Sequence, residues 1–198
     1  MNKTPSRSAA QKKRILDAAQ TCFIESGFHS ASMAKIAQTA GMSPGLIYRY
    51  FESKNAIIRA IVESQLEITL ARIQDLRDAE DLSAALFEYL DAHDSARQKP
   101  LSVSLFLEMS AAGMRDPEIA QEIKRLDQKV CAEIAGWLGR SEERGGYGLP
   151  ADVAAERALG LQCVIEGLKV RKARDPSLKG EHLRNTIDAL VSSLAARS

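Results

Sequence analysis

Residues 32–51 read SMAKIAQTAGMSPGLIYRYF, and this run decides the fold. Ser32 stands where a hydroxyl can accept the first free amide protons of a helix, and Met33–Ala40 follow with Ile36 and Ala37 turned inward. Gly41 and Met42 make the turn. Ser43 then repeats the cap, with Pro44 in the first helical position, where a missing N–H costs nothing. This second helix is expected to run to about Phe51, and Ser53 to cap a third, much longer one. Two short helices joined by a tight turn containing glycine form a helix-turn-helix pattern.

Working outward, the periodicity stays helical. Upstream, Ile15, Ala19, Cys22 and Phe23 recur at i, i+4, i+7 and i+8, the apolar stripe of a helix that is expected to stop at Gly27. Phe28 follows where a Schellman-type contact would sit. Downstream, Ile57, Ile58, Ile61, Val62 and Leu66 belong to the long helix, which should persist to about Arg77. Further helices are expected over 82–97, 101–113, 117–139, 151–174 and 181–196. The clearest loop is 144–150, with Gly145, Gly146 and Gly148. No sustained period-2 run and no Asn-Gly or Asp-Gly hairpin is present. The expected fold is all-α: an N-terminal three-helix helix-turn-helix domain over 9–69, then a C-terminal helical domain over 70–198.

Composition narrows the function classes. With 45% apolar and 27% charged residues in 198, the chain reads as globular, not disordered or fibrous. No apolar run approaches the roughly 18 residues that span a bilayer, so no membrane partner is expected. The basic, polar start lacks a signal-peptide core, and the three distant cysteines (Cys22, Cys131, Cys163) suit a reducing cytoplasm. Residues 1–60 hold nine Lys/Arg against three Asp/Glu, a net of +6, while the remainder carries 18 basic and 23 acidic groups, a net of −5. A basic first third on an acidic remainder suggests a polyanion held by that third alone. Enzymatic chemistry finds no support. His29, His93 and His182 lie more than 60 residues apart, no Cys or His pair has ligand spacing, and Gly145-Gly146-Tyr147-Gly148 lacks a Walker lysine. No catalytic residue, metal or cofactor is expected.

The run RILDAAQTCFIESGFHSASMAKIAQTAGMSPGLIYRYFESKNAIIRAI, 14–61, resembles the DNA-binding domain of the TetR family of bacterial transcriptional regulators. Ile15, Ala18-Ala19, Phe23, Gly27-Phe28, Ile36-Ala37, Gly41, Tyr48, Phe51 and Lys54 carry the likeness, without insertion. The resemblance implies a homodimer on palindromic double-stranded operator DNA, most often a repressor, released when a small-molecule effector enters the C-terminal domain. An activator, or a helical DNA-binding protein that organises a nucleoid region, is the alternative.

On a helical wheel Ile47 and Phe51 lie together and should face the core, with Gly45, Leu46 and Arg49 opposite and Tyr48 and Tyr50 on the flanks. Gly45 lets backbone approach a groove, and Arg49 can bond guanine O6/N7 or a phosphate. Tyr48, Tyr50 and Lys54 match positions where the family binds phosphate, although Tyr48 could instead pack in the core. Ser32 and Ser43 are either plain caps or anion contacts through helix starts. Pro44, Gly45 and Leu46 depart from family members that place polar side chains there, so DNA shape should carry more of the specificity.

The segment 101–113 has apolar residues nearly all round (Leu101, Val103, Leu105, Phe106, Leu107, Met109), which predicts a buried helix. Ser104 and Glu108 share one of its faces. Glu108 either makes a structural bond or meets an effector in a cavity lined by Ser104, Phe106, Met109 and Trp137. Ala154, Ala158, Leu161, Ile165 and Leu168 form one stripe, with Leu159 and Val164 as apolar excess. The resemblance implies that the last two helices pair with those of a second copy, through Leu161, Ile165, Leu168, Ile187, Leu190 and Leu194.

Overall fold

In a computed structural model the described residues are 7–79, 81–91, 102–175, 177–178 and 180–195. Among them the regular structure is helical, with no strand: α1 (Arg7–Ser30), α2 (Met33–Ala40), α3 (Pro44–Tyr48), α4 (Lys54–Arg77), α5 (Leu82–Asp91), α6 (Val103–Gly113), α7 (Pro117–Gly139), α8 (Ala151–Arg174) and α9 (Glu181–Ala195). The expected continuation of α5 over 92–97, Leu101, and the side chain of Leu194 lie outside the described residues.

The chain forms two compact units, one built from 1–65 with 104–126, the other from 66–103 with 127–198. In the first, α1 buries Ile15, Ala18, Ala19, Cys22 and Phe23 along the stripe read from the sequence. The helix does not simply stop at Gly27. That residue adopts φ 75°, ψ 157°, a region open to glycine almost alone, and one further turn follows to Ser30. The break swings Phe28 inward, 7% exposed, with its ring edge-on to Phe23 at 5.3 Å. Ser32 Oγ accepts from Lys35 N at 3.1 Å to start α2. Gly41, at φ 60°, ends it with the paired bonds of a Schellman motif, Gly41 N to Gln38 O and Met42 N to Ala37 O.

Ser43 Oγ accepts from Leu46 N, and Pro44 opens α3. The expected run to Phe51 is cut short. Arg49 is the C-cap, Tyr50 N bonds Ile47 O at 2.8 Å in a tightened turn, and the chain bends so that Phe51 is buried beside a fully buried Ile47. Ser53 Oγ accepts from Ala56 N at the start of α4, whose Ile57, Ile58, Ile61 and Val62 complete this core. From further along the chain, α6 adds buried Leu105, Met109 and Ala112, and the start of α7 adds Ile119. The expectation of a helix buried all round is corrected by α6 itself. Leu107 is 46% exposed and Ser104 is exposed, so the helix buries one side only.

In the second unit Leu86 and Leu90 of α5 meet Leu183 and Ile187 of α9, with Leu76, Ile165, Leu168 and Val191 packed around them. The α7–α8 connection is fastened by Trp137, whose Nε1 donates to Gly145 O at 3.0 Å and whose ring lies edge-on to Tyr147.

Candidate nucleic-acid interface

The capped pair α2 and α3 presents one exposed, polar surface. Ser32, Ser43, Pro44, Gly45 and Arg49 are exposed, and Leu46 and Tyr50 are half-buried. Tyr48 is 55% exposed, so it does not pack in the core. Beneath, Ile47 and Phe51 hold α3 in place, as the wheel predicts. Both serine oxygens accept a helix amide, yet each hydroxyl keeps its own proton to donate. Among the described residues, beyond Gly45's chain neighbours and the backbone of its own helix, no atom lies within 4 Å of where a Cβ would stand, so no packing neighbour requires glycine there. Arg49 leaves from the end of the short helix, not from mid-face as a helix reaching Phe51 would place it.

Lys54 departs most from the reading as a free phosphate contact. Its ammonium donates to Phe28 O at 2.8 Å and His29 O at 3.2 Å, and stands 4.6 Å from the centre of the Phe28 ring. It thereby caps the last turn of α1, where the carbonyl ends favour a cation. Partial burial holds its pKa below the usual lysine value. Two of the three ammonium protons are committed, which leaves one for an outside acceptor.

Periodicity gives no hint of several partnerships in this unit. Glu108 Oε2 accepts from Phe28 N at 3.2 Å. Asn55 Nδ2 donates to Asp116 Oδ2 at 3.1 Å and to Glu118 Oε2 at 3.4 Å, and Arg59 pairs with Glu118 at 3.6 Å. Asp116 Oδ1 also caps α7 through the amides of Glu118 and Ile119. Desolvation pushes the Asp116 carboxyl up, but its accepted hydrogen bonds and the nearby His29 outweigh that and hold it below the usual aspartate value. Arg14 lays its Nη2 2.6 Å from where a Cβ on Gly41 would be, over the end of α2.

The residues expected to bind an effector do not share one unit. Ser104, Phe106, Glu108 and Met109 belong to the first and Trp137 to the second. Glu108 makes a structural bond, one of its two readings, and Trp137, 4% exposed, is committed to the 145–147 turn. The expected dimer contacts differ in burial, with Ile165, Leu168 and Leu190 half-buried within their own chain. Leu161 and Ile187 are 3% and 1% exposed within their own chain, and Ile187 belongs to the core of α5 and α9, against which Ile165 and Leu168 are packed. The unburied face of α8 carries Asp152, Ala155, Glu156, Leu159, Gly160, Cys163 and Gly167, with Leu159 57% exposed.

Between α7 and α8, the Gln162 amide donates to Asp127 at 3.3 Å and Glu166 at 3.1 Å, while Cys131 donates to its oxygen at 2.8 Å. Burial, then the Glu166 charge, pushes the Asp127 carboxyl up despite the Gln162 bond. A raised acid pKa means that the folded state binds the proton more tightly, so the ionised group costs stability above that pKa. Asp127→Asn keeps the acceptor without the charge. It should raise the melting midpoint at pH 7–8 by about 1–2 °C, a modest figure because solvent screens a half-buried group. The advantage should vanish as pH falls below the ordinary aspartate value of about 4. Calorimetric melts at both pH values check this, and an unchanged midpoint at pH 8 contradicts it.

Among the described residues no helix is long and apolar enough to cross a membrane, and no group of three or more His, Cys, Asp or Glu could hold a metal ion. Comparison with known proteins agrees with the geometry. Residues 15–61 match the family model described as bacterial regulatory proteins, tetR family, and 78–196 match the BetI-type transcriptional repressor, C-terminal. The chain is 29% identical over 195 residues to the HTH-type transcriptional regulator UidR of Escherichia coli, covering 85% of this chain and 97% of UidR. It is 35% identical over 133 residues to RutR of the same organism, covering 66% of this chain and 63% of RutR. Salmonella enterica GusR superposes with a TM-score of 0.78 at 28% identity, covering 98% of this chain and 99% of GusR. With a capped helix-turn-helix at one end and a matching regulator body over the rest, the chain belongs to the TetR family of helix-turn-helix, DNA-binding transcriptional regulators.

Proposed function

We propose that the protein is a cytoplasmic, ligand-responsive repressor that binds a palindromic operator as a homodimer and leaves it when a small-molecule effector binds. Residues 9–69 take the operator, and 70–198 take the effector and the second copy. The observation that carries this reading is the exposed α2–α3 surface, serine-capped at both helix starts, on a segment of net charge +6. A dimer would set two such surfaces about one helical turn apart, roughly 34–36 Å, on successive half-sites. Pairing is proposed through the Leu159–Cys163 face of α8, which the chain itself leaves unburied. Sequencing the genomic fragments that co-purify with the protein tests the function. One or a few promoters are expected, and many dispersed sites would favour the nucleoid alternative.

On the operator so found, Arg49 and Lys54 should fail differently. Arg49 is the only long donor on the α3 surface, and its guanidinium can span a guanine edge. Arg49→Ala should cost roughly 1–3 kcal/mol on the operator and relax preference at one base pair per half-site. Lys54→Met should weaken operator and random duplex alike and lower the salt slope by about one unit for each phosphate left unneutralised. Binding to operator, single-base variants and random duplex at two salt concentrations separates the two. Uniform weakening by Arg49→Ala across that panel would make Arg49 another phosphate contact.

A further inference from the structure

Phe28 is held from three directions. Its N–H donates to Glu108 Oε2 at 3.2 Å, its carbonyl accepts from Lys54 at 2.8 Å, and its ring lies under the same ammonium at 4.6 Å. The non-helical Gly27 makes this possible. At φ 75°, ψ 157° it takes Phe28 out of the regular run of α1, and a group from elsewhere in the fold supplies an acceptor for the Phe28 amide. That group is a carboxylate, so the bond is charge-assisted and stronger than one between neutral groups. A Cβ at position 27 would stand 3.4 Å from Glu108 Oε2, about an ordinary contact, so it is the positive φ that calls for glycine there. The adjoining corner repeats the pattern, with Asn55, next to Lys54, bonded to Asp116 and Glu118 at the α6–α7 junction.

We infer that Glu108, 80 positions away in sequence, is a positioning residue for operator binding: through Phe28 it fixes the ammonium of Lys54 and the turn that leads into the Ser32 cap. The inference rests on the operator reading above. Lys54 can aim its remaining proton at a phosphate only while the carbonyls of Phe28 and His29 stay where they are. Glu108 secures those carbonyls by holding the amide on the other side of the same residue. Without it the last turn of α1 is free to move, and Lys54 follows. The carboxylate thus touches no DNA yet governs a residue that does.

The test is a double-mutant cycle between position 108 and Lys54, read by operator affinity, salt slope and melting midpoint in the full-length protein. Glu108→Ala should weaken operator binding about tenfold and make the salt slope shallower by about one unit. Glu108→Gln, which keeps an acceptor oxygen, should weaken it only about threefold. In a Lys54→Met background both replacements should have little further effect, because the group they position is gone. A purely structural role would lower the melting midpoint and leave the salt slope alone. The inference is overturned if both replacements keep the parent affinity and slope, or if their effects add to that of Lys54→Met. Should Glu108→Ala fail to fold, the Glu108→Gln cycle decides by the same criterion. If the unchanged protein binds no duplex above random sequence, the operator reading fails and this inference with it. If it binds and the cycle is additive, this inference alone fails.

Discussion

Leu159→Asp should give a folded monomer without tight operator binding, whereas Ile187→Asp should give no folded protein. The two leucine-sized side chains lie on neighbouring helices of the same unit but face opposite environments. Leu159 is 57% exposed, in line at i, i+4 spacing with Ala155, Cys163 and Gly167, so an aspartate there costs the isolated chain little. Against a second copy the same charge would be buried without a partner, which association cannot tolerate. Splitting the proposed dimer would remove the second half-site contact, and operator affinity should drop by about 100-fold or more. Ile187, 1% exposed, packs with Leu86, Leu90 and Leu183. An ionised carboxylate at that point costs several kcal/mol, a large share of the roughly 5–15 kcal/mol that holds a domain together. Light scattering at micromolar concentration with far-ultraviolet dichroism distinguishes the outcomes. A Leu159→Asp protein that remains dimeric would exclude this face of α8 as the contact.

Gly146→Ala should destabilise the second unit far more than the same change at Gly145 or Gly148. A Cβ at 146 would sit on the carbonyl oxygen of Arg140 and 2.6 Å from both Arg140 Cβ and Trp137 O. Two of these are backbone oxygens, which cannot swing aside as a side-chain tip can. Relief requires moving the end of α7, and with it the bonds from Gly146 N to Ser141 O, Tyr147 N to Leu138 O and Leu149 N to Leu138 O. The expected cost is about 3–4 kcal/mol, seen as a fall of about 10 °C in the melting midpoint. Gly145 and Gly148 have positive φ but open space around a Cβ, so alanine there should cost only about 1 kcal/mol. Melting the three variants side by side checks the order, and a Gly146→Ala midpoint equal to the parent's would contradict it.

What the sequence discloses depends on how local the signal is. Ser32, Gly41, Ser43 and Pro44 act through bonds to residues at most four positions away, so the helix-turn-helix can be placed without coordinates. Periodicity overestimates the length of α3 because its last turn is set by the burial of Phe51, a tertiary demand that local spacing does not carry. Glu108 is visible in the sequence as a carboxylate on an apolar helix, which must find a partner. That the partner is an amide 80 residues upstream, released by a glycine, has no signature in the nearby residues. On α8 the stripe Ala154–Leu168 is plainly apolar, but both sides of the helix carry apolar groups. Choosing the inward side needs the positions of Leu86 and Leu90 on α5.

The piecewise make-up of the first unit has a consequence for anyone who would graft this DNA-reading head onto another regulator. Its structure draws on 104–126 as well as 1–65, so a contiguous transplant leaves behind Glu108, Asp116 and Glu118. The Phe28 amide and the Asn55 side chain would then arrive without acceptors, and the buried places of Leu105 and Ile119 would be vacant. A working hybrid has to bring the second segment along, or choose a recipient whose own sixth helix offers a carboxylate at the position of Glu108.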